Sequence, residues 1–216
     1  MVREIAELEQ GMRELGIIFD RAVIDKFNDY LQLLHASHGK FHLISHLDHK
    51  RVSRRHFLPS LVALRYVEKH NRVCDIGSGA GFPSIPLKIL IPHLDLVIFE
   101  SQRKKADFLE RLIDALRLER AEVVNSRAED YSGRRFDLGL LKAVGTIKKF
   151  VRLLDSILEA DGEAIFYKTF GVEEELKIAR GFLNKLRFTA EVMKTHTPLE
   201  KRPLALVILR KGRMTG

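Results

Sequence analysis

Residues 72–82 read RVCDIGSGAGF: an apolar run reaches Asp75, and glycines follow at alternate positions, Gly77, Gly79 and Gly81. Such a stretch commits the chain to a buried strand that breaks into a loop of bare backbone. A Cβ there would block close approach of a ligand or forbid the dihedral angles. A helix starting at Gly81 would aim its free N–H groups at the same spot and favour an anionic group. For a single glycine pair, a tight strand–helix turn with no ligand would be the reading. Three glycines behind an acid point instead to a nucleoside-bearing cofactor.

The spacing narrows the cofactor. The dinucleotide fingerprint is G-x-G-x-x-G/A, and counting from Gly77 its third small residue falls on Phe82. The pattern present, D-x-G-x-G-x-G, resembles the S-adenosylmethionine (SAM) loop of Rossmann-like methyltransferases. A second apolar run, LDLVIFE at 94–100, ends in Glu100, 23 positions after Gly77. That is near the distance at which the next strand of such a fold meets the ribose. A carboxylate accepts hydrogen bonds from both hydroxyls of an unphosphorylated ribose, which suits SAM. Alone, Glu100 would be an ordinary charged strand end.

The rest of the chain fits around this unit. Residues 1–70 read as helical, with amphipathic stretches at about 3–15 and 48–69 and another opening at Asp20, a suitable N-cap. The Asp20 stretch places Phe27, Tyr30, Leu31 and Leu34 on one face and is broken by Gly39, while Pro59 starts a segment or kinks the third stretch. From residue 72, strand-like runs (72–76, 94–100, 121–125, 136–141, 162–168) alternate with helical ones (103–117, 146–158, 173–187). This rhythm predicts a parallel sheet with helices on both faces. Two last runs, TAEVMKTHT and RPLALVILRK, are separated only by Pro198 to Lys201. That connection is too short for a crossover helix, so they should pair antiparallel at the sheet edge. The expected fold is α/β, a Rossmann-like class I methyltransferase with a seven-stranded, mostly parallel sheet and an antiparallel edge hairpin. A helical extension (1–70) precedes the SAM domain (71–216).

Composition excludes other classes. The 216 residues carry 45% hydrophobic and 31% charged side chains, a soluble profile. No apolar run reaches the roughly 18 residues of a membrane span. The start, MVREIAELEQ, has no apolar signal core. The single cysteine, Cys74, falls in a predicted strand and reads as a core residue, excluding a disulfide framework. A cytoplasmic address is expected, with no membrane partner. The net charge of +8, from 37 Lys and Arg against 29 Asp and Glu, is compatible with RNA. Six histidines (His35, His38, His42, His46, His49, His56) recur at spacings suggesting one helix face. Gly39 interrupts that face and no Cys or carboxylate pair joins it, so no metal is expected. RNA phosphate or stacking contacts, or plain surface, suit these histidines better.

The segments RHFLPSL (55–61), DIGSGAGFPSIPLKI (75–89), SQRKKADFL (101–109) and SRAED (126–130) are similar to the RsmG family, also called GidB. That family comprises bacterial small-subunit ribosomal RNA methyltransferases. The likeness spans roughly 25–211 and is densest from 54 to 145, with Pro83 and Pro86 its most particular marks. It implies N7 methylation of one guanine in 16S rRNA, with the rRNA or small subunit as partner; a monomer is expected. It also implies SAM contacts from Asp75, Gly77, Gly79, Gly81 and Phe82. Glu100 and Ser101 would meet the ribose end, and Ala128 and Glu129 the adenine edge through backbone groups. Lys142 would join the cofactor set where the family has Arg. Ser84 replaces a usual Gly, Pro59 a usual Asp, and Lys168-Thr169 a Lys-Gly pair.

Guanine N7 offers a lone pair and has no proton to lose, so no catalytic base is expected. Lys142 and Lys168 would position, through carboxylate or phosphate contact. Candidate RNA contacts are Arg51, Arg54, Arg55, Lys148, Lys149 and Arg152, though each alone could be a solvated face. The glycine loop fits equally a SAM enzyme acting on a protein or small molecule, or a SAM- or RNA-binding module without activity.

Overall fold

The structure, a computed structural model, describes residues 1–37 and 43–212. His38, Gly39 and His42 lie outside the described residues. Seven strands follow the apolar runs: β1 (Arg72–Ile76), β2 (Asp95–Phe99), β3 (Ala121–Val124), β4 (Phe136–Lys142), β5 (Leu158–Lys168), β6 (Phe188–His196) and β7 (Pro203–Lys211). They form one sheet in the order β3-β2-β1-β4-β5-β7-β6. β1 pairs in parallel with both β2 and β4. The expected hairpin is present, and β7 enters between β5 and β6, antiparallel to both. The central strands are mostly apolar because helices cover both faces, though β1 buries Asp75 and β5 buries Glu163. The winding reverses between β1 and β4, so a crevice opens at their carboxyl ends, where open α/β sheets bind ligands.

Helices α1 (Val2–Glu14) and α2 (Arg21–Ser37) open the chain. Asp20 caps α2 as expected, its Oδ1 accepting the Val23 N–H at 2.9 Å. Phe27, Tyr30, Leu31 and Leu34 form the buried face of α2. The stretch expected at 48–69 is not one helix. Its helical part is a π turn (Ser53–Phe57), then α3 (Leu58–Leu61) and α4 (Leu64–Val67). The Leu58 N–H reaches back to the Ser53 carbonyl, and Pro59 has no N–H to continue a regular ladder.

The remaining helices are α5 (Ser84–Leu90), α6 (Arg103–Ala115), α7 (Ile147–Ile157) and α8 (Val172–Lys185). One apolar cluster joins α1–α4, α5 and α6 to one sheet face, with Leu8, Phe27, Phe57, Ile85 and Leu109 meeting Val73, Leu138 and Ile165. A second joins α7 and α8 to the other face through Phe150, Leu154 and Leu183. No described helix is long and apolar enough to cross a membrane.

Candidate functional site

The glycine loop leaves β1 as expected, but the helix after it opens at Ser84, three residues beyond Gly81. Its first free N–H is already used: Ser84 N–H donates to Asp75 Oδ2 at 3.2 Å. The expectation of helix N–H groups facing a ligand at Gly81 is therefore corrected. Asp75 takes the anion's place, fully buried beneath the loop. Burial pushes its carboxyl up to about 6, against the neighbouring Ser84, Ser78 and Lys142. Asp75 Oδ1 has no hydrogen-bond partner among the described residues.

The three glycines meet different surroundings. A Cβ on Gly77 would stand 2.8 Å from Val144 Cγ1, and one on Gly81 would stand 2.6 Å from the Tyr30 hydroxyl. Gly79 has φ +62° and a Cβ on it would meet nothing within 4 Å. Behind the loop, Tyr30 donates to the Ala80 carbonyl at 2.6 Å. Phe82 is almost fully buried and stacks on His56 at 4.7 Å and on Tyr30 at 5.6 Å. Its ring is engaged by the N-terminal helices.

Glu100 sits at the end of β2 and closes the loop from the other side. Its Oε2 accepts the Gly79 N–H at 3.2 Å and its Oε1 the Gln102 N–H at 2.8 Å. Beside it lies a cleft of ≈ 240 Å³ lined by Gly77, Ser101, Ala128, Glu129, Val144 and Lys149, with Ile76 and Phe99 behind. This cleft gathers four of the expected cofactor residues: Gly77, Ser101, Ala128 and Glu129.

A second cleft, ≈ 390 Å³, opens at the ends of β4 and β5 between Pro59, Lys142, Tyr167 and Pro203. The loop after β4 borders both clefts, Ala143 on this one and Val144 on the other. Ala143 takes a positive φ of 60°, a conformation that costs energy for a residue with a Cβ. Lys142 donates to Ser60 Oγ at 3.3 Å, and its ammonium lies 5.2 Å from the Phe82 ring centre. Burial pushes Lys142 down to about 8, opposed by Asp75 and Asp48. Ser60 is the hub: its hydroxyl donates to the His56 carbonyl at 2.6 Å, and its own carbonyl accepts from Tyr167 at 2.8 Å. Burial, with Lys142 and Arg55 nearby, holds the His56 imidazole down at about 3, hence neutral.

Lys168 is tied to Glu175 at 2.9 Å and donates to the Gly145 carbonyl at 2.5 Å. The same Glu175 oxygen accepts the Ile147 N–H at the start of α7, so α8 fixes the loop after β4. Arg54 pairs with Glu7 at 2.8 Å and Arg55 with Glu200 at 3.0 Å. Arg51 is exposed, as are Lys148, Lys149 and Arg152 along α7; Lys148 and Arg152 lean over the Phe182 ring. His35 and His49 pack ring to ring at 4.4 Å. Among the described residues no three His, Cys, Asp or Glu side chains converge as metal ligands. Sequence reasoning did not single out Tyr30, Ser60, Tyr167 or Glu175 for the site. Each acts through a partner distant in the chain, a pairing that carries no local signal.

Comparison with known proteins adds to this geometry. The family described as GidB, rRNA small subunit methyltransferase G, matches residues 23–203. The Ribosomal RNA small subunit methyltransferase G of Halalkalibacterium halodurans is 34% identical, the alignment covering 98% of this chain and 92% of that one. The protein of the same name from Carboxydothermus hydrogenoformans is 35% identical over 81% of this chain and 77% of its own. Solved structures share the fold at lower identity. An rRNA methylase from Streptococcus thermophilus superposes with TM-score 0.55 at 15% identity, covering 72% of this chain and 97% of that one. M. jannaschii TYW2, in complex with AdoMet, does so with TM-score 0.56 at 16%, covering 72% and 77%.

Proposed function

The chain belongs to the GidB family of rRNA small subunit methyltransferases, and from that premise we propose that it transfers a methyl group from SAM to N7 of a guanine in 16S rRNA. The observation that carries the cofactor half is Gly79. Its positive φ and the open space where a Cβ would stand make a backbone cradle beside a cleft of matching chemistry. Gly77, Gly79, Ser101, Ala128 and Glu129 would hold SAM there, with Glu100 at the ribose end and Asp75 bracing the loop from beneath. When bound, SAM supplies an electrophilic methyl group on a sulfonium.

What remains for the protein is alignment and exclusion of water. Guanine N7 attacks with its lone pair, and no side chain need take a proton. Orientation of this kind is worth roughly 7–11 kcal/mol. The base turns cationic as the methyl arrives, so bare cations around it would oppose the reaction. Lys142 and Lys168 are bound to Ser60 and Glu175, which supports a positioning role for both. Arg51 and the α7 cations Lys148, Lys149 and Arg152 stand ready for RNA phosphates. Arg54 and Arg55, held by Glu7 and Glu200, brace the N-terminal helices against the site.

The reading includes a monomeric enzyme, working in the cytoplasm, with the small ribosomal subunit as substrate. The experiment is transfer of labelled methyl from SAM to unmodified small subunits, with 7-methylguanosine read by nucleoside mass spectrometry. Label appearing only in protein or small molecules would reject it.

A further inference from the structure

Five cations line the cleft at the ends of β4 and β5: Arg54, Arg55, Lys142, Lys168 and Arg202. Four are already engaged. Arg54 meets Glu7, Arg55 meets Glu200, Lys168 meets Glu175, and Lys142 donates to Ser60 within the field of the Asp75 and Asp48 carboxylates. Arg202 is exposed, and its guanidinium makes no ion pair or hydrogen bond to the described residues.

The base of that side chain is nonetheless fixed. Arg202 N–H donates to Thr197 Oγ1 at 3.1 Å, and its carbonyl accepts the Thr197 N–H at 2.9 Å. Its neighbour Lys201 is bound to Glu14. The turn before β7 is thus held at both ends while one planar, always-charged fork points from it without a partner among the described residues.

That distribution suits the proposed chemistry. A guanine gaining positive charge is served by cations whose charge is answered, and a nucleotide's phosphate needs one that is not. An Arg fork matches phosphate oxygens two at a time. Resting on the rRNA reading above, we propose that the target nucleotide enters this second cleft and that Arg202 grips a phosphate of the target strand. Arg202 is then a positioning residue for methyl transfer.

The test uses the full chain with Arg202→Gln, Arg202→Lys and, as a control, Lys201→Gln, on unmodified small subunits. For Arg202→Gln the expected result is a KM for RNA raised about tenfold, with kcat and SAM affinity near wild type. The slope of log affinity against log salt should become shallower by about one. Arg202→Lys should recover part of the loss. The assignment is overturned if Arg202→Gln keeps wild-type RNA affinity and salt slope, or if Lys201→Gln costs as much. A wild-type enzyme that binds SAM but leaves 16S rRNA unlabelled overturns the underlying reading, and the assignment with it.

Discussion

Tyr30 and Ala80 lie 50 residues apart, and the Tyr30 hydroxyl donates a 2.6 Å hydrogen bond to the Ala80 carbonyl in a fully buried setting. One is on α2 and the other in the glycine loop, so the N-terminal helices hold the loop from behind. Burial and the nearby Asp75 carboxylate push the Tyr30 hydroxyl well above its ordinary pKa. It therefore stays a donor throughout the working range.

Tyr30→Phe should cost about 1–3 kcal/mol, because it leaves the Ala80 carbonyl buried without a partner. The ring, its stacking on Phe82 and its tilted contact with Phe57 survive. The loop should also loosen and SAM affinity fall severalfold. Denaturant melts and calorimetry would check both. Unchanged SAM affinity would mean that the loop does not need this support.

Glu100→Gln tests the opposite wall. The carboxylate accepts one N–H on each oxygen, from Gly79 and from Gln102. An amide can accept on only one side, and its NH2 would face a donor on the other. Expected are a loss of about 1–3 kcal/mol in stability and at least a tenfold loss of SAM affinity, measured by calorimetry. Equal affinity in wild type and variant would remove Glu100 from the cofactor site.

Asp75 makes a prediction with a sign. Its carboxyl rises from 3.8 to about 6 in the folded protein, so the folded state holds the proton more tightly than the unfolded one. The stability this contributes is full below about pH 4 and is lost as pH rises through about 6. A shift of this size corresponds to about 3 kcal/mol. His56 runs the other way, its folded value of about 3 removing stability as pH falls from 6.5. The informative quantity is therefore the difference between wild type and Asp75→Asn. Asparagine can still accept the Ser84 N–H, and the variant should gain on wild type between pH 4 and 7. Parallel curves from urea melts over that range would refute the buried-acid account.

Strands were legible in the sequence because a strand covered on both faces is mostly apolar, and β1, β2 and the 164–167 part of β5 read as largely apolar runs. The cofactor loop was legible because backbone approach admits almost no residue but glycine. The break-up of 48–69 was not, since hydrophobic periodicity is blind to a π turn and Pro59 gives only a place for trouble. Nor could spacing show that Asp75 would take the Ser84 N–H and delay the helix from Gly81. Arg54 and Arg55 read as candidate RNA contacts with no sign of their ion pairs, because their acids, Glu7 and Glu200, sit far away in the chain and meet them only after folding. Arg202 is the converse case: only the folded chain shows that its guanidinium has no partner among the described residues.

The three loop glycines separate folding from binding. A Cβ on Gly81 would press on the Tyr30 hydroxyl at 2.6 Å and Ile85 at 2.9 Å, and one on Gly77 on Val144 at 2.8 Å. Gly81→Ala should therefore lose the most stability and Gly77→Ala less, because Val144 lies on a loop that can shift. Gly79→Ala meets no atom. It carries only the cost of a left-handed backbone, roughly 1–2 kcal/mol, part of which is offset by a stiffer unfolded chain. Its Cβ would stand where the cofactor is proposed to approach. Gly79→Ala should thus lose the least stability and yet at least tenfold in SAM affinity. Urea melts give the first ordering and calorimetry the second. If Gly79→Ala binds SAM as wild type does, the glycine there serves the turn alone, and the cofactor does not approach the loop at that residue.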